Sequence, residues 1–324
     1  MDQSWSEQVG APEWRREAEG WIHDVLSDRG ATVTGPIAQP RIRPWSTQLI
    51  VPTGHGKVWF KANCPANSFE ARVQVVLAEL VPDDVEAPLA IERERGWMLT
   101  ADHGPSLGDL HEPPVEDWQH VVDQAARVQR ALVGAKDQLR AAGLPDYSPA
   151  TIPDRFDRLI ELMGGLPDVH PSHIDPDLAG RLEAVRPQLV DACRQVEDSP
   201  IPSTFQHGDV HPWNVFLADG QMKLFDFGDA MWGFALEAMS VPYGWIAEKK
   251  LIEWESVGNA YREHWTDLVS VREYESLWHA CGLTHAVNRS ATWWRGIQGA
   301  SQDEWAAWGD APRIHLMNLL DDLP

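Results

Sequence analysis

A chain of 324 residues, 43% apolar and 23% charged, is long enough for one large core or two lobes. Its formal net charge of −22 opposes binding to polyanions, which excludes nucleic acid as a natural partner. No apolar run spans a membrane, the first ten residues carry no leader pattern, and three scattered cysteines (Cys64, Cys193, Cys281) form neither a disulfide framework nor a zinc knuckle, so a reducing cytoplasm is expected.

The first periodic segment is Glu13 to Arg29, where Trp14, Ala18, Trp21, Ile22, Val25 and Leu26 recur at helical spacing. Gly30 ends it. Thr47 to Val51 and Val58 to Ala62 read as strands, and Pro52-Thr53-Gly54-His55-Gly56 between them as the turn of a hairpin. A helix from Ser68, as N-cap, to Leu80 follows, with Phe69, Val73, Val76, Leu77 and Leu80 as its apolar stripe. Ala87 to Ile91 and Trp97 to Thr100 are further strands, and the lobe boundary falls near Asp102-His103-Gly104-Pro105.

Beyond Ser106 the pattern is mainly helical. Val115 to Gly143, Asp154 to Met163 and Pro176 to Val196 are expected helices, as are Trp245 to Trp265, Val271 to Ala286 and Ala291 to Trp308. The fold class is therefore α+β, with a small antiparallel-sheet lobe (about 1–101) and a larger, mostly helical lobe (about 102–324).

The stretch from Phe205 to Asp229 breaks the helical pattern. Asp209 and Asn214 sit on a loop pinned by Pro212. Two short apolar strands then flank Asp219-Gly220, a strong hairpin signal, and the second delivers Asp226 to a bend containing Gly228. Antiparallel pairing brings Asn214 and Asp226 together. An amide oxygen beside a carboxylate oxygen suits Mg²⁺, and Asp209 is close enough to face the same ion without being its main ligand. Phosphoryl transfer needs this set: a carboxylate to orient the acceptor hydroxyl, metal to neutralise phosphates, and a lysine on their far side.

His207-Gly208-Asp209-x-x-x-x-Asn214 followed by Asp226-Phe227-Gly228 resembles the catalytic and metal-binding loops of the protein-kinase-like superfamily. The His-Gly-Asp-x-His variant is similar to its aminoglycoside phosphotransferase and choline kinase branch. The resemblance spans roughly residues 41–240. It implies a two-lobed kinase-like fold and ATP-dependent transfer to a small-molecule alcohol, with Asp209 as catalytic base and Asn214 and Asp226 on Mg²⁺. It implies Lys61 on the phosphates, with Glu70 preferred over Glu79 as its ion-pair partner. Met98 and Thr100 lie in the segment expected to meet the adenine. No Gly-x-Gly-x-x-Gly precedes Lys61, so the hydroxyls and backbone amides of Ser46 and Thr47 are expected to take the phosphate-covering role. An Ala-Pro-Glu segment and a long activation loop are also missing, which fits a small-molecule acceptor rather than a protein.

Plainer readings compete at several positions. A lone loop aspartate is ordinarily a turn or cap residue, but Asp209 keeps company with Asn214 and Asp226. His207 is read as structural, and so is His211, with Asp226 or the metal shell within its reach. A zinc hydrolase built on His207, Asp209 and His211 would leave Asp226-Phe227-Gly228 unexplained. Asp229 is either a cap for a helix from Met231 onward or part of the acceptor site. A non-catalytic nucleotide-binding pseudokinase is the rival from another class.

Charge bears on the acceptor. Residues 1–100 hold 14 acidic and 10 basic side chains, whereas 101–324 hold 35 and 17. Such a field favours an amino-bearing acceptor (an aminoglycoside, amino sugar or amino alcohol) over a neutral sugar, although an acidic surface that merely aids solubility explains it as well. Candidate carboxylates are Asp229, Glu237, Asp303 and Glu304. Trp232, Trp293 and Trp294, from a chain with 17 tryptophans, could stack on a ring face, although the Trp293-Trp294 pair reads more readily as core.

Overall fold

The computed structural model describes residues 3–249 and 252–321. Two helices open the chain, α1 (Trp5–Gly10) and α2 (Pro12–Asp28). Five strands follow, interrupted by one helix: β1 (Ala38–Ile42), β2 (Ser46–Thr53), β3 (Gly56–Asn63), α3 (Glu70–Leu80), β4 (Ala90–Glu92) and β5 (Trp97–Ala101). They form an antiparallel sheet in the order β1-β2-β3-β5-β4. Strand alternation gives the sheet two faces. Leu49, Val51, Phe60, Ala62, Trp97 and Leu99 point outward and are buried under Ala18, Ile22 and Leu26 of α2. Trp14 and Trp21 close this layer edge-on against Phe60 and Trp97. Burying each such side chain is worth about 1.5–3 kcal/mol.

The remainder is mostly helical: α4 (Leu107–Leu110), α5 (Val115–Leu132), α6 (Lys136–Ala141), α7 (Ile152–Gly164) and α8 (Pro176–Glu197). Short strands β6 (Ser203–Gln206), β7 (Val215–Ala218), β8 (Gln221–Leu224) and β9 (Met231–Phe234) interrupt the helices and form two ladders, β6 with β9 and β7 with β8. Then come α9 (Ser240–Lys249), α10 (Trp254–Arg262), α11 (Val271–Ile297), α12 (Gln302–Trp308) and α13 (Ala311–Met317). A cluster joining Phe69, at the cap of α3, and Val73 and Leu77 of α3 with α5 (Val121, Ala125, Val128) and the β7–β8 hairpin (Val215, Leu224) ties the sheet to the helical part. No helix among the described residues is long and apolar enough to cross a membrane.

The hairpin of β2 and β3, the α3 helix and the Asp219-Gly220 turn are as expected, with φ of 51° and 79° at the two turn residues. Several expectations fail for identifiable reasons. Val115 to Gly143 is two helices, broken at Val133 to Ala135, because Leu132, Ala135 and Leu139 all face the same core and keep the apolar rhythm across the break. Conversely, one helix runs unbroken from Val271 to Ile297. Its polar stretch Asn288-Arg289-Ser290 looks like a breaker in sequence but is buried and largely hydrogen-bonded. The expected Trp245 to Trp265 helix crosses residues 250 and 251, which lie outside the described residues; around them α9 and α10 are separate. Ser68 does not cap α3: its hydroxyl donates to Pro65 O at 2.9 Å, and the cap position belongs to Phe69. Residues from Met231 form strand β9, so Asp229 is not a helix cap.

Candidate active site

Lys61 lies on the inner face of the sheet, opposite Gln48 on one side and Met98 on the other. Its ammonium donates to Glu70 Oε1 and to Asp226 Oδ1, each at 2.8 Å. Glu70 is fully buried at the start of α3, while Glu79 is exposed. The other Glu70 oxygen accepts from Asn63 Nδ2, and Oε1 also accepts from Phe227 N at 2.9 Å. Burial alone would lower the Lys61 ammonium, but Asp226 and Glu70 outweigh it and hold its pKa above the ordinary value. Burial would likewise raise Asp226, and Lys61 holds it below the usual carboxylate range.

Asp226 has a φ of 65°, in the left-handed region that aspartate tolerates better than most residues. Phe225 N donates to Asn214 O at 3.1 Å, so the loop after β8 starts alongside Asn214. Asn214 Nδ2 donates to the Asp209 carbonyl at 2.9 Å and to Asp209 Oδ2 at 3.2 Å. With its nitrogen so engaged, the Asn214 amide leaves its oxygen for another partner. Asp226 Oδ2 has no hydrogen bond among the described residues. Two hard oxygens are therefore available, one amide and one carboxylate, and this donor set fits Mg²⁺.

The two histidines of the Asp209 loop have distinct jobs. His207 Nε2 donates to Phe225 O at 2.9 Å, and its Nδ1 accepts from Asp209 N at 3.4 Å. Both nitrogens are thus spent on backbone, which removes His207 from any zinc site and makes it a brace between the two loops. Burial lowers its pKa, consistent with a neutral ring. His211 Nε2 lies 3.1 Å from Asp209 Oδ2, so it touches Asp209 and not Asp226. Gly208 has φ of 81°, and a Cβ there would strike the Asp229 carbonyl; only glycine fits.

The register corrects one expected contact. Thr47 is fully buried on the outer face, the face of Leu49 and Ala62. Its hydroxyl donates to Arg41 O at 2.9 Å and accepts from Gln39 Nε2 at 2.9 Å, so it is not free for phosphate. Ser46 shares the Lys61 face but is 3% exposed. Met98 and Thr100 also share that face by register, with the Thr100 hydroxyl 3.4 Å from Trp59 O.

The acceptor candidates mostly find other work. Asp229 Oδ2 accepts from Arg289 at 2.7 Å. Trp232 is buried in the core. Glu304 caps α12 through Ser301 and also accepts from the Ser6 hydroxyl, whereas Asp303 is exposed beside it. Trp294 is half-buried, packed against the core and against the Trp305 ring, and Trp293 packs edge-on to Trp45 at 5.9 Å.

Glu237 is 4% exposed, bound to Asn288 Nδ2 at 2.8 Å, and its other oxygen has no hydrogen bond among the described residues. Burial pushes its pKa up to about 7 from an ordinary 4.5. A raised carboxyl pKa makes the folded state hold a proton that the unfolded chain has lost. Stability from this group is complete below pH 4.5 and drains away as pH rises through 7. Glu237→Gln should therefore gain about 3 kcal/mol on the wild type between pH 4 and 8. Denaturant unfolding of both proteins across that range checks this; a difference independent of pH refutes it.

Sequence reasoning missed Asn63, Asn67, Arg289 and Arg295. Arg295 Nε donates to Asn67 Oδ1 at 2.8 Å and its NH2 to Gly228 O at 3.1 Å. None of the four sits in a motif, and both arginines reach the loops after Gln206 from a helix 60 to 81 residues further along the chain.

The sequence pattern of the phosphotransferase enzyme family, abbreviated APH, matches residues 64–245. No curated protein sequence matches significantly. Among solved structures, a macrolide 2'-phosphotransferase type I is similar with a TM-score of 0.59 at 13% identity, over 90% of this chain and 96% of that one. The ethanolamine kinase of Plasmodium vivax gives 0.60 at 12% identity, over 88% and 80%. The GDP and kanamycin complex of an APH(2") enzyme gives 0.58 at 13% identity, over 93% and 99%. At such identities these likenesses speak to the fold alone.

Proposed function

Since the chain belongs to the phosphotransferase enzyme family, we propose that it transfers the terminal phosphoryl group of ATP to a hydroxyl of a small molecule. The observation that carries this reading is the Lys61–Glu70–Asp226 ion-pair set facing the Asp209–Asn214 loop. Lys61 holds the nucleotide phosphates from the sheet side. Asp209, its Oδ2 oriented by His211 and Asn214, turns the acceptor hydroxyl toward the phosphate and takes its proton. Asn214 and Asp226 hold Mg²⁺, which supplies charge neutralisation on the phosphates. Met98 and Thr100 belong to the strand expected beside the adenine. Three buried free thiols suit a reducing cytoplasm.

The finer reading, an amino-bearing acceptor, is supported by the acid excess beyond residue 100 and by relatives whose names include an ethanolamine kinase and a kanamycin complex. One observation favours a neutral acceptor instead: Arg289 already neutralises Asp229 and lies 3.4 Å from Asp209 Oδ1. Matched acceptors separate the two. Glucosamine against glucose, and kanamycin against its N-acetylated form, are assayed for ADP release with Mg-ATP. Preference for the amine, weakening as salt rises, supports the first reading. Equal use of both members supports the second. A thermal shift with ADP but no transfer to any alcohol in a broad panel would instead identify a pseudokinase.

A further inference from the structure

We infer that Arg289 is a positioning residue for phosphoryl transfer, a clamp from α11 that locks the Asp209 loop to the segment carrying Asp229. The inference rests on the reading of Asp209 as the group that takes the acceptor proton.

Three contacts define the clamp. Arg289 NH1 donates to Gly208 O at 3.0 Å and to Asp229 Oδ2 at 2.7 Å, and NH2 reaches Asp209 Oδ1 at 3.4 Å. The Arg289 side chain is 11% exposed. Withdrawing a guanidinium from water is costly unless its donors find partners, and here acceptors on two separate loops engage NH1 and NH2. A planar fork suits such a bridge better than a point charge.

The division of labour on Asp209 is informative. Its Oδ2 is held by His211 and Asn214, both from its own loop. Its Oδ1 meets only Arg289 among the described residues, and at the long distance of 3.4 Å. That contact restrains the carboxylate without saturating it, leaving Oδ1 free to accept from a hydroxyl.

Arg289 is in turn well anchored. It lies over the Trp293 ring, 5.7 Å from the centroid, one helical turn along α11. Trp293 packs against Trp45, at the turn between β1 and β2. Asn288, its neighbour on α11, donates to Tyr147 O at 3.2 Å and to Glu237. The helix therefore cannot roll without breaking buried contacts. Residue 289 lies beyond the region matched by the family pattern, which ends at 245.

The test uses the full chain, with water as acceptor, so that the natural alcohol need not be known. Mg-ATP hydrolysis, ADP affinity and thermal midpoint are measured for Arg289→Gln, Arg289→Lys and Asp209→Asn. Arg289→Gln is expected to lower kcat about 10- to 100-fold with KM for ATP within about threefold. Arg289→Lys should be at least threefold faster than Arg289→Gln yet slower than wild type, because the cation is kept while the planar fork is lost. An Arg289→Gln rate within twofold of wild type overturns the clamp, as does failure of lysine to rescue. Asp209→Asn hydrolysing at the wild-type rate would instead defeat the Asp209 assignment itself. Should Arg289→Gln lower the thermal midpoint sharply, the double variant with Asp229→Asn removes the stranded carboxylate; wild-type kcat there also overturns the proposal. Amide exchange over residues 207–210 in the ADP-bound protein gives an independent reading. At least tenfold faster exchange in Arg289→Gln is expected, and unchanged protection refutes the clamp.

Discussion

Asp209→Ala is expected to reduce turnover by about 10²- to 10⁴-fold while ADP affinity stays within about threefold. The asymmetry follows from where Asp209 sits. Its carboxylate is bound by His211, Asn214 and Arg289; of these only Asn214 also belongs to the proposed metal site, through its amide oxygen, which the Asp209 carboxylate does not touch. Burial would raise its pKa, but His211 and Arg289 hold it well below the ordinary carboxylate value. It is thus ionised across the working pH range, and its contribution is to orient the hydroxyl and receive its proton late in transfer. Removing it deletes both at once. The loop itself should survive, because Pro212, the His207 brace and the Asn214 bond to the residue 209 carbonyl do not need the side chain. Turnover by Asp209→Ala at the wild-type rate with a true acceptor would end this assignment.

Asp226→Asn is the second large effect. It keeps the shape of the side chain, and Lys61 retains Glu70 as partner at 2.8 Å, so folding should be nearly unaffected. What is lost is one negative charge and one strong oxygen ligand. ADP titrations with and without Mg²⁺ read this directly. In the wild type, Mg²⁺ should tighten ADP binding; in Asp226→Asn that gain should vanish, and turnover should fall about 10²- to 10³-fold. Undiminished tightening by Mg²⁺ in the variant would remove Asp226 from the metal site.

The chemistry was legible where it was local. His207 to Asn214 and Asp226 to Gly228 lie within about twenty residues, joined by a hairpin whose turn residues announce it, so their convergence follows from strand pairing alone. Lys61 was legible because it follows an apolar strand run, and Glu70 because it shares the α3 face with Val73 and Leu77. Thr47 was misjudged by one position of register. Strand alternation sends it outward with Leu49, a choice that depends on which face α2 covers.

By itself the sequence determined the fold class, the hairpins, and the convergence of Asp209, Asn214 and Asp226, because these depend on periodicity and short spacing. Tertiary structure alone decided that Arg289 and Arg295 enter the site, that Asp229 is matched to a cation, and that Glu237 is buried with an unpartnered oxygen. Those outcomes depend on how α11 packs against loops about 60 to 80 positions earlier in the chain. Such contacts leave no periodic trace, since a buried arginine and a surface arginine are spelled the same way until packing determines which one meets water.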